Sequence, residues 1–289
     1  VWDLTEGIIR FQLLGHTSAV NRSRFSADGS QVITASNDGT VIIWDASTGS
    51  ILHRYEGSND WVTDVAISPS GTYIAFGSLA GTDNTRPTLG VAVIIDVTTN
   101  TIVRRLEENL TGFVTGVDFS PDGLDIATIS CSRYANSGCV ESDARVWDVA
   151  TGQILHRLEL EGQANSASYS PDGREILISL SDGTAIVWNA TLGGKSRVLE
   201  VHNAQVNTAA FSSDGTRIIT SSDDGSVIIW RFDAMEQLQA WTLANRFVPV
   251  LTCAERLTYN AQPFCSETHP ETSDTRTPVQ STSTDQGTY

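Results

Sequence analysis

Short apolar runs rich in β-branched residues alternate along this chain with turn words built from Asp, Gly, Ser and Pro, a strand-and-turn signature rather than a helical period. In the first unit the pattern predicts strands at residues 8–13, 20–25, 31–36 and 41–45. Asp28-Gly29 and Asp38-Gly39 fall between strands, where glycine takes the positive φ of a tight hairpin turn. The prediction is four antiparallel strands per unit.

One turn phrase recurs five times: Phe25-Ser26-Ala27-Asp28-Gly29, Ile67-Ser68-Pro69-Ser70-Gly71, Phe119-Ser120-Pro121-Asp122-Gly123, Tyr169-Ser170-Pro171-Asp172-Gly173 and Phe211-Ser212-Ser213-Asp214-Gly215. Successive copies start 42, 52, 50 and 42 positions apart, the spacing of one supersecondary unit stacked on copies of itself. Repeats are expected at about 8–45, 50–96, 101–148, 153–189 and 196–231. An array running through most of 289 residues argues for one architecture over residues 1–232.

Composition narrows the function classes. Acidic residues outnumber basic ones 34 to 18, the net charge is -16, and Lys195 is the only lysine, which argues against nucleic acid as a partner because phosphate binding needs clustered cations. No apolar run approaches the roughly 20 residues of a membrane-crossing helix, so direct membrane insertion is not expected. The chain opens on Val1-Trp2-Asp3, a word that returns as Ile43-Trp44-Asp45 and Val146-Trp147-Asp148, and so reads as the end of an earlier repeat with the natural N-terminus missing. Cys131 with Cys139, and Cys253 with Cys265, are either two disulfides or four free thiols; their spacing is not that of a structural zinc site.

The wording over residues 1 to about 232 resembles the WD-repeat β-propeller family. The resemblance rests on Trp44-Asp45, Trp147-Asp148, Trp188-Asn189 and Trp230, on Gly15-His16 before the first strand of the blade, and on Asp-Gly turns before the tryptophan strands. It implies an all-β propeller of four-stranded antiparallel blades. It also implies a hydrogen-bonded His, Ser or Thr, Asp and Trp tetrad inside a blade, for which the first unit offers His16, Ser36, Asp38 and Trp44 and the fifth His202, Ser222, Asp224 and Trp230. The fourth unit keeps Asp182 and Trp188 without a His, and the second has Ile95 where Trp belongs. If the chain closes on itself as the family does, residues 8–13 supply the outer strand of the last blade; the redundant Trp2-Asp3 word favours a piece of a larger propeller.

Past Trp230 the pattern turns helical, with Asp233 as a cap and Leu238 and Trp241 at helical spacing, so residues 233–265 are expected to form a short helical extension. Part of it, from Asn245 to Tyr259, resembles an extension of bacterial WD-repeat proteins. Residues 266–289, rich in Thr, Ser and Pro, are expected to be a disordered tail.

The two long repeats owe their length to insertions at 79–90 and 131–142, between the second and third strands of neighbouring units. The resemblance implies that these insertions emerge side by side on one face, which makes them the best candidate site, and they carry Asp83, Asn84, Arg86, Arg133, Tyr134 and Asn136. No phosphate loop, nucleophile elbow or metal-ligand motif stands out, and no cofactor is expected. The expectation is a non-catalytic scaffold that binds a protein or peptide. The alternatives are a ligand-sensing module of a larger bacterial signalling protein and, third, a propeller enzyme with its site assembled across blades.

Overall fold

In the computed structural model the described residues are 1–56, 61–79, 90–106, 112–135, 138–200 and 202–232. The chain divides into two compact units, Val1–Ala234 and Met235–Tyr289, and every described residue belongs to the first. The expected helical extension, the tail, Cys253 and Cys265 lie outside the described residues.

The described part is built of antiparallel strands only. After a pair formed by β1 (Trp2–Asp3) and β2 (Ile8–Ile9), the first sheet joins β3 (Val20–Phe25), β4 (Gln31–Ser36), β5 (Thr40–Asp45) and β6 (Ile51–Glu56) in chain order. The second holds β7 (Val62–Ile67), β8 (Tyr73–Leu79), β9 (Gly90–Asp96) and β10 (Thr101–Leu106). β11 (Val114–Phe119), β12 (Asp125–Ala135), β13 (Gly138–Asp148) and β14 (Ile154–Glu161) form the third, and β15 (Ala164–Tyr169), β16 (Glu175–Leu180), β17 (Thr184–Asn189) and β18 (Lys195–Glu200) the fourth. The fifth has three described strands, β19 (Val206–Phe211), β20 (Arg217–Ser222) and β21 (Val227–Arg231).

Each core layer lies between consecutive sheets. Ile33, Val41 and Ile43 of the first sheet meet Val62, Ile74 and Phe76 of the second, and the same arrangement returns at each later junction. A side chain near the start of each sheet's first strand also donates to a carbonyl of the next sheet: Asn21 to Val62 (2.7 Å), Thr63 to Val114, Thr115 to Ala164 (2.9 Å) and Asn165 to Val206 (2.9 Å). These bonds satisfy polar groups that stacking would otherwise bury unpaired. Charges do the same across three sheets: Asp64 accepts from Arg22 Nε (2.9 Å) and from the Val117 amide (3.0 Å), and Arg24 reaches Asp118 at 3.3 Å.

The fourth strand of each complete sheet starts from one turn. Asp45 accepts the amides of Ser47 and Thr48, Asp96 those of Thr98 and Thr99, Asp148 that of Thr151 and Asn189 those of Thr191 and Leu192. Gly49, Asn100, Gly152 and Gly193 then reverse the chain with positive φ. After Trp230 the corresponding places hold Arg231 and Met235, so the turn word is absent from the sequence.

The expected strand over residues 8–13 is corrected: only Ile8–Ile9 is a strand, and it pairs with Trp2–Asp3 rather than with the last sheet. The register Trp2↔Ile9 repeats Trp44↔Ile51 and Trp147↔Ile154, with Asp3 accepting the amides of Thr5 and Glu6 and Gly7 at φ 67°. A local hairpin with its own capped turn closes a far shorter loop than a pairing that spans the whole array.

Candidate functional site

The third sheet departs most from its neighbours. β12 and β13 have 11 residues each where the corresponding strands of the first, fourth and fifth sheets have five or six. Residues 131–142, expected as a loop, are mostly a continuation of this hairpin: Cys131 pairs with Ser142, Arg133 with Glu141, Tyr134 with Cys139 and Ala135 with Gly138, with register shifts on both sides of Arg133. Backbone pairing extends because the inserted residues lengthen both strands together, and Cys131 and Cys139 are joined by a disulfide with Cα atoms 5.8 Å apart. β14 follows the extension as far as Glu161 opposite Glu141.

Charge is organised at the base of the hairpin. Buried Asp143 accepts from Arg145 (2.9 Å) and from Arg157 (2.9 Å), so a carboxylate out of water is held by two guanidiniums. Higher on the exposed face, Arg133 Nη2 donates to Glu141 Oε1 at 2.5 Å, and this bond draws the Glu141 carboxyl below its ordinary range. Arg133, Glu141, Asp143 and Arg157, together with Glu159 and Glu161, line an open cleft of about 570 Å³. Its lining is mostly polar and includes Asp143 and Arg157 of the ion cluster, an arrangement suited to hydrogen-bonding a polar chain segment rather than to enclosing a small apolar ligand.

Of the six side chains expected at the site, Arg133 lies on the extended hairpin and Tyr134 follows it in the strand register. Asp83, Asn84, Arg86 and Asn136 lie outside the described residues. The Asp143, Arg145 and Arg157 cluster was not anticipated; its signal was the charged alternation of β13 and β14, which lies beyond the insertion itself.

The two histidines sit in structural networks with one correction to the expected membership. His16 bonds Asp38 through Nδ1 (2.9 Å) and Thr34 Oγ1 through Nε2 (2.7 Å), and Trp44 Nε1 donates to the same Thr34 hydroxyl at 2.8 Å. In the fifth sheet His202, Asp224, Thr220 and Trp230 repeat this arrangement. Ser36 and Ser222 are not members: each accepts the amide two residues on and donates to a carbonyl of the preceding loop. Register decides it, because Trp44 lies opposite Val32, which puts Thr34 one diagonal step from the indole and Ser36 beyond it. Burial works against the Asp38 carboxylate, yet donors from Thr40, Thr17 and His16 hold its pKa well below the ordinary value. These histidines are engaged at both ring nitrogens, and among the described residues no group of three or more His, Cys, Asp or Glu is placed to hold a metal ion. Among the described residues no helix is long and apolar enough to cross a membrane.

The sequence model of the family described as "WD domain, G-beta repeat" matches residues 7–45, 49–85, 152–189 and 193–231, more than half of the chain. The stretch it leaves unmatched includes the extended hairpin. Among curated proteins the chain is similar to "Small ribosomal subunit protein RACK1y" of Oryza sativa subsp. japonica, 26% identical over 187 residues, covering 61% of this chain and 49% of that protein. It is also similar to "Guanine nucleotide-binding protein subunit beta" of Nicotiana plumbaginifolia and of Nicotiana tabacum, each 29% identical over 228 residues, covering 64% of this chain and 60% of the relative. The chain thus spans about half to three fifths of the length of these relatives. All three come from plants and lend no support to the expected bacterial source.

Proposed function

The chain belongs to the WD domain, G-beta repeat family, and we propose that it is a non-catalytic platform that binds a protein or peptide through the insertions of its second and third repeats. The observation that carries this reading is the β12–β13 hairpin, which rises past the length the repeat requires and is cross-linked by Cys131 and Cys139. A rigid, polar projection on a scaffold of stacked sheets is a means of presenting contact residues with little ordering entropy left to lose on binding. Arg133 and Tyr134 belong to residue types enriched at interface hot spots. Arg86, Asp83 and Asn84 of the second repeat's insertion and Asn136 of the third's are the remaining residues of the proposed surface, on the sequence alone. The names of the relatives agree in kind, since each is a protein of a larger assembly.

Replacing Arg86, Arg133 and Tyr134 by Ala tests the reading in affinity capture followed by mass spectrometry. The expected result is loss of the specific partners with the melting temperature unchanged. An unchanged partner set from the triple variant overturns the proposal.

A further inference from the structure

A second cleft lies at the end of the third sheet away from the hairpin. It opens between the third and fourth sheets with a volume of about 460 Å³, and its lining includes Asp122 and Asp125 from one sheet and Asp172, Arg174 and Thr191 from the other. Asp125 and Ala135 are the two ends of β12, a strand of 11 residues. At the usual rise per residue this sets the cleft about 33 Å from Ala135.

The carboxylates here outnumber their partners. Asp122 accepts the Ser120 hydroxyl (2.6 Å) and the Leu124 amide (3.0 Å), and Asp172 the Ser170 hydroxyl (2.6 Å) and the Arg174 amide (3.1 Å). Asp125 is half-buried, and among the described residues nothing donates a hydrogen bond to its carboxylate. It stands directly across from Asp148, whereas Gln31 faces Asp45, Tyr73 faces Asp96 and Glu175 faces Asn189 at the same place of the other complete sheets. Carboxylates opposed across strands repel. Burial, Asp122 and Asp148 together raise the pKa of Asp125 against the pull of His156. Arg174, the cation of the lining, lies 3.9 Å from Asp172 with both side chains exposed, a pair of little strength.

An independent observation points to the same place. Tyr169 is 8% exposed in the core layer between these two sheets, and its hydroxyl has no hydrogen-bond partner among the described residues. Burial first, then Asp125, Asp118 and Asp122, hold its pKa far above the ordinary range, so the hydroxyl faces carboxylates of the cleft. The other four turn phrases put Phe25, Ile67, Phe119 and Phe211 at this position. A buried hydroxyl without a partner is an exception in folded proteins, and its oxygen is left to accept from a ligand.

We propose that this cleft is a second protein-binding site, which takes an arginine side chain of a partner. The guanidinium donates to the Asp125 carboxylate and to the Tyr169 hydroxyl oxygen, and Asp122 and Asp172 surround it with negative charge. Among the described residues no group of acidic side chains is placed to hold a metal ion, which leaves an organic cation. Arginine fits better than lysine, because its planar fork of five donors meets two acceptors at once while an ammonium is a compact, strongly hydrated point charge. Leu124 and Leu192, next in the chain to Asp125 and Thr191, are 65% and 81% exposed, so apolar residues are expected on either side of the arginine. The net charge of -16 draws a basic segment towards the protein.

The test uses the full chain and the fluorescein-labelled peptide Gly-Leu-Arg-Leu-Gly-amide, read by fluorescence polarisation, with two further peptides carrying citrulline or Lys in place of Arg. Binding of the Arg peptide is expected, with the citrulline peptide about ten-fold weaker and the Lys peptide about five-fold weaker. Asp125→Asn is expected to lose about ten-fold and Tyr169→Phe about five-fold in affinity for the Arg peptide. Neither change is expected to lower the melting temperature, since the first removes one of two opposed carboxylates and the second an unpaired buried hydroxyl. The triple variant Arg86→Ala, Arg133→Ala, Tyr134→Ala should bind the peptide as the parent does, which separates this site from the hairpin surface. Equal binding of the Arg and citrulline peptides, parental affinity in Asp125→Asn or Tyr169→Phe, or lost binding in the triple variant overturns the proposal. So does absence of binding by the parent.

Discussion

Trp188 is fully buried with its indole N–H unpartnered, because Ile178 stands where Thr34 stands beside Trp44. Leu160, buried as well, takes the place that His16 and His202 fill in the first and fifth sheets. The fourth sheet has therefore replaced a polar network by apolar packing while keeping its tryptophan. The exchange is tolerable for the His and Thr positions, since both partners of a bond leave together, but it strands one donor.

Trp44→Phe is accordingly expected to destabilise the protein more than Trp188→Phe. The two changes remove the same ring volume from buried sites, while only the first also removes a hydrogen bond. The difference expected is about 1 kcal/mol, read from chemical denaturation of the two variants. Equal losses would show that the bond to Thr34 contributes nothing.

Thr34, rather than Ser36, closes the first network. Thr34→Val leaves His16 Nε2 and the Trp44 indole without their shared partner and is expected to cost about 2 kcal/mol. Ser36→Ala removes an acceptor for the Asp38 amide and a long bond to the Ser18 carbonyl, and about 1 kcal/mol is expected. The opposite ranking in equilibrium unfolding would return the serine to the network.

Two groups of carboxylates give stability opposite slopes in different pH windows. Burial pushes Asp118 up to about 6, against the opposing pull of Arg24 and of the Tyr169 amide. The folded state then holds this proton where the unfolded chain has released it, so the contribution of Asp118 falls as pH rises from about 4 to about 6. Asp118→Asn is expected to flatten that fall in melting temperature measured between pH 4 and 7. Asp38 and Asp224 are held below their ordinary value in the folded state, so their stabilisation is present above it and is lost as pH falls through the acid range. A parent and an Asp118→Asn variant with parallel profiles would refute the first assignment.

Opening the Cys131–Cys139 link is expected to loosen the hairpin locally. Closing so short a loop restricts the unfolded chain by about 2–3 kcal/mol in the chain-entropy account. Cys131→Ser with Cys139→Ser should show faster amide exchange over residues 131–142 while the remaining sheets keep their protection. Unchanged exchange there would mean that strand pairing alone holds the extension.

Some of this was legible along the chain because its cause is local. The Asp-Gly words, the spacing of the five phrases and the β-branched runs specify hairpins by turn geometry and period, and the strands of the first unit at 20–25 and 31–36 appear with those bounds. The two histidines and their aspartates followed instead from the resemblance to the family, whose motif they match at equal offsets from a tryptophan. Ser36 and Thr34 lie on one face of the same strand, and only pairing with Trp44 separates them. The loop expected at 131–142 became a hairpin because pairing between its halves is a property of two strands, not of either run. The Asp143 ion cluster joins residues from two strands of the third sheet, and the Asp64 network spans three sheets.

The sequence by itself determined the repeat, the strand-turn alphabet and the missing turn word after Trp230, since each depends on a backbone conformation that neighbouring residues permit or forbid. Tertiary structure decided which hydroxyl meets the indole and which carboxylates lose water. Those outcomes depend on distance and solvent exclusion between segments far apart in the chain, and no local propensity contains them.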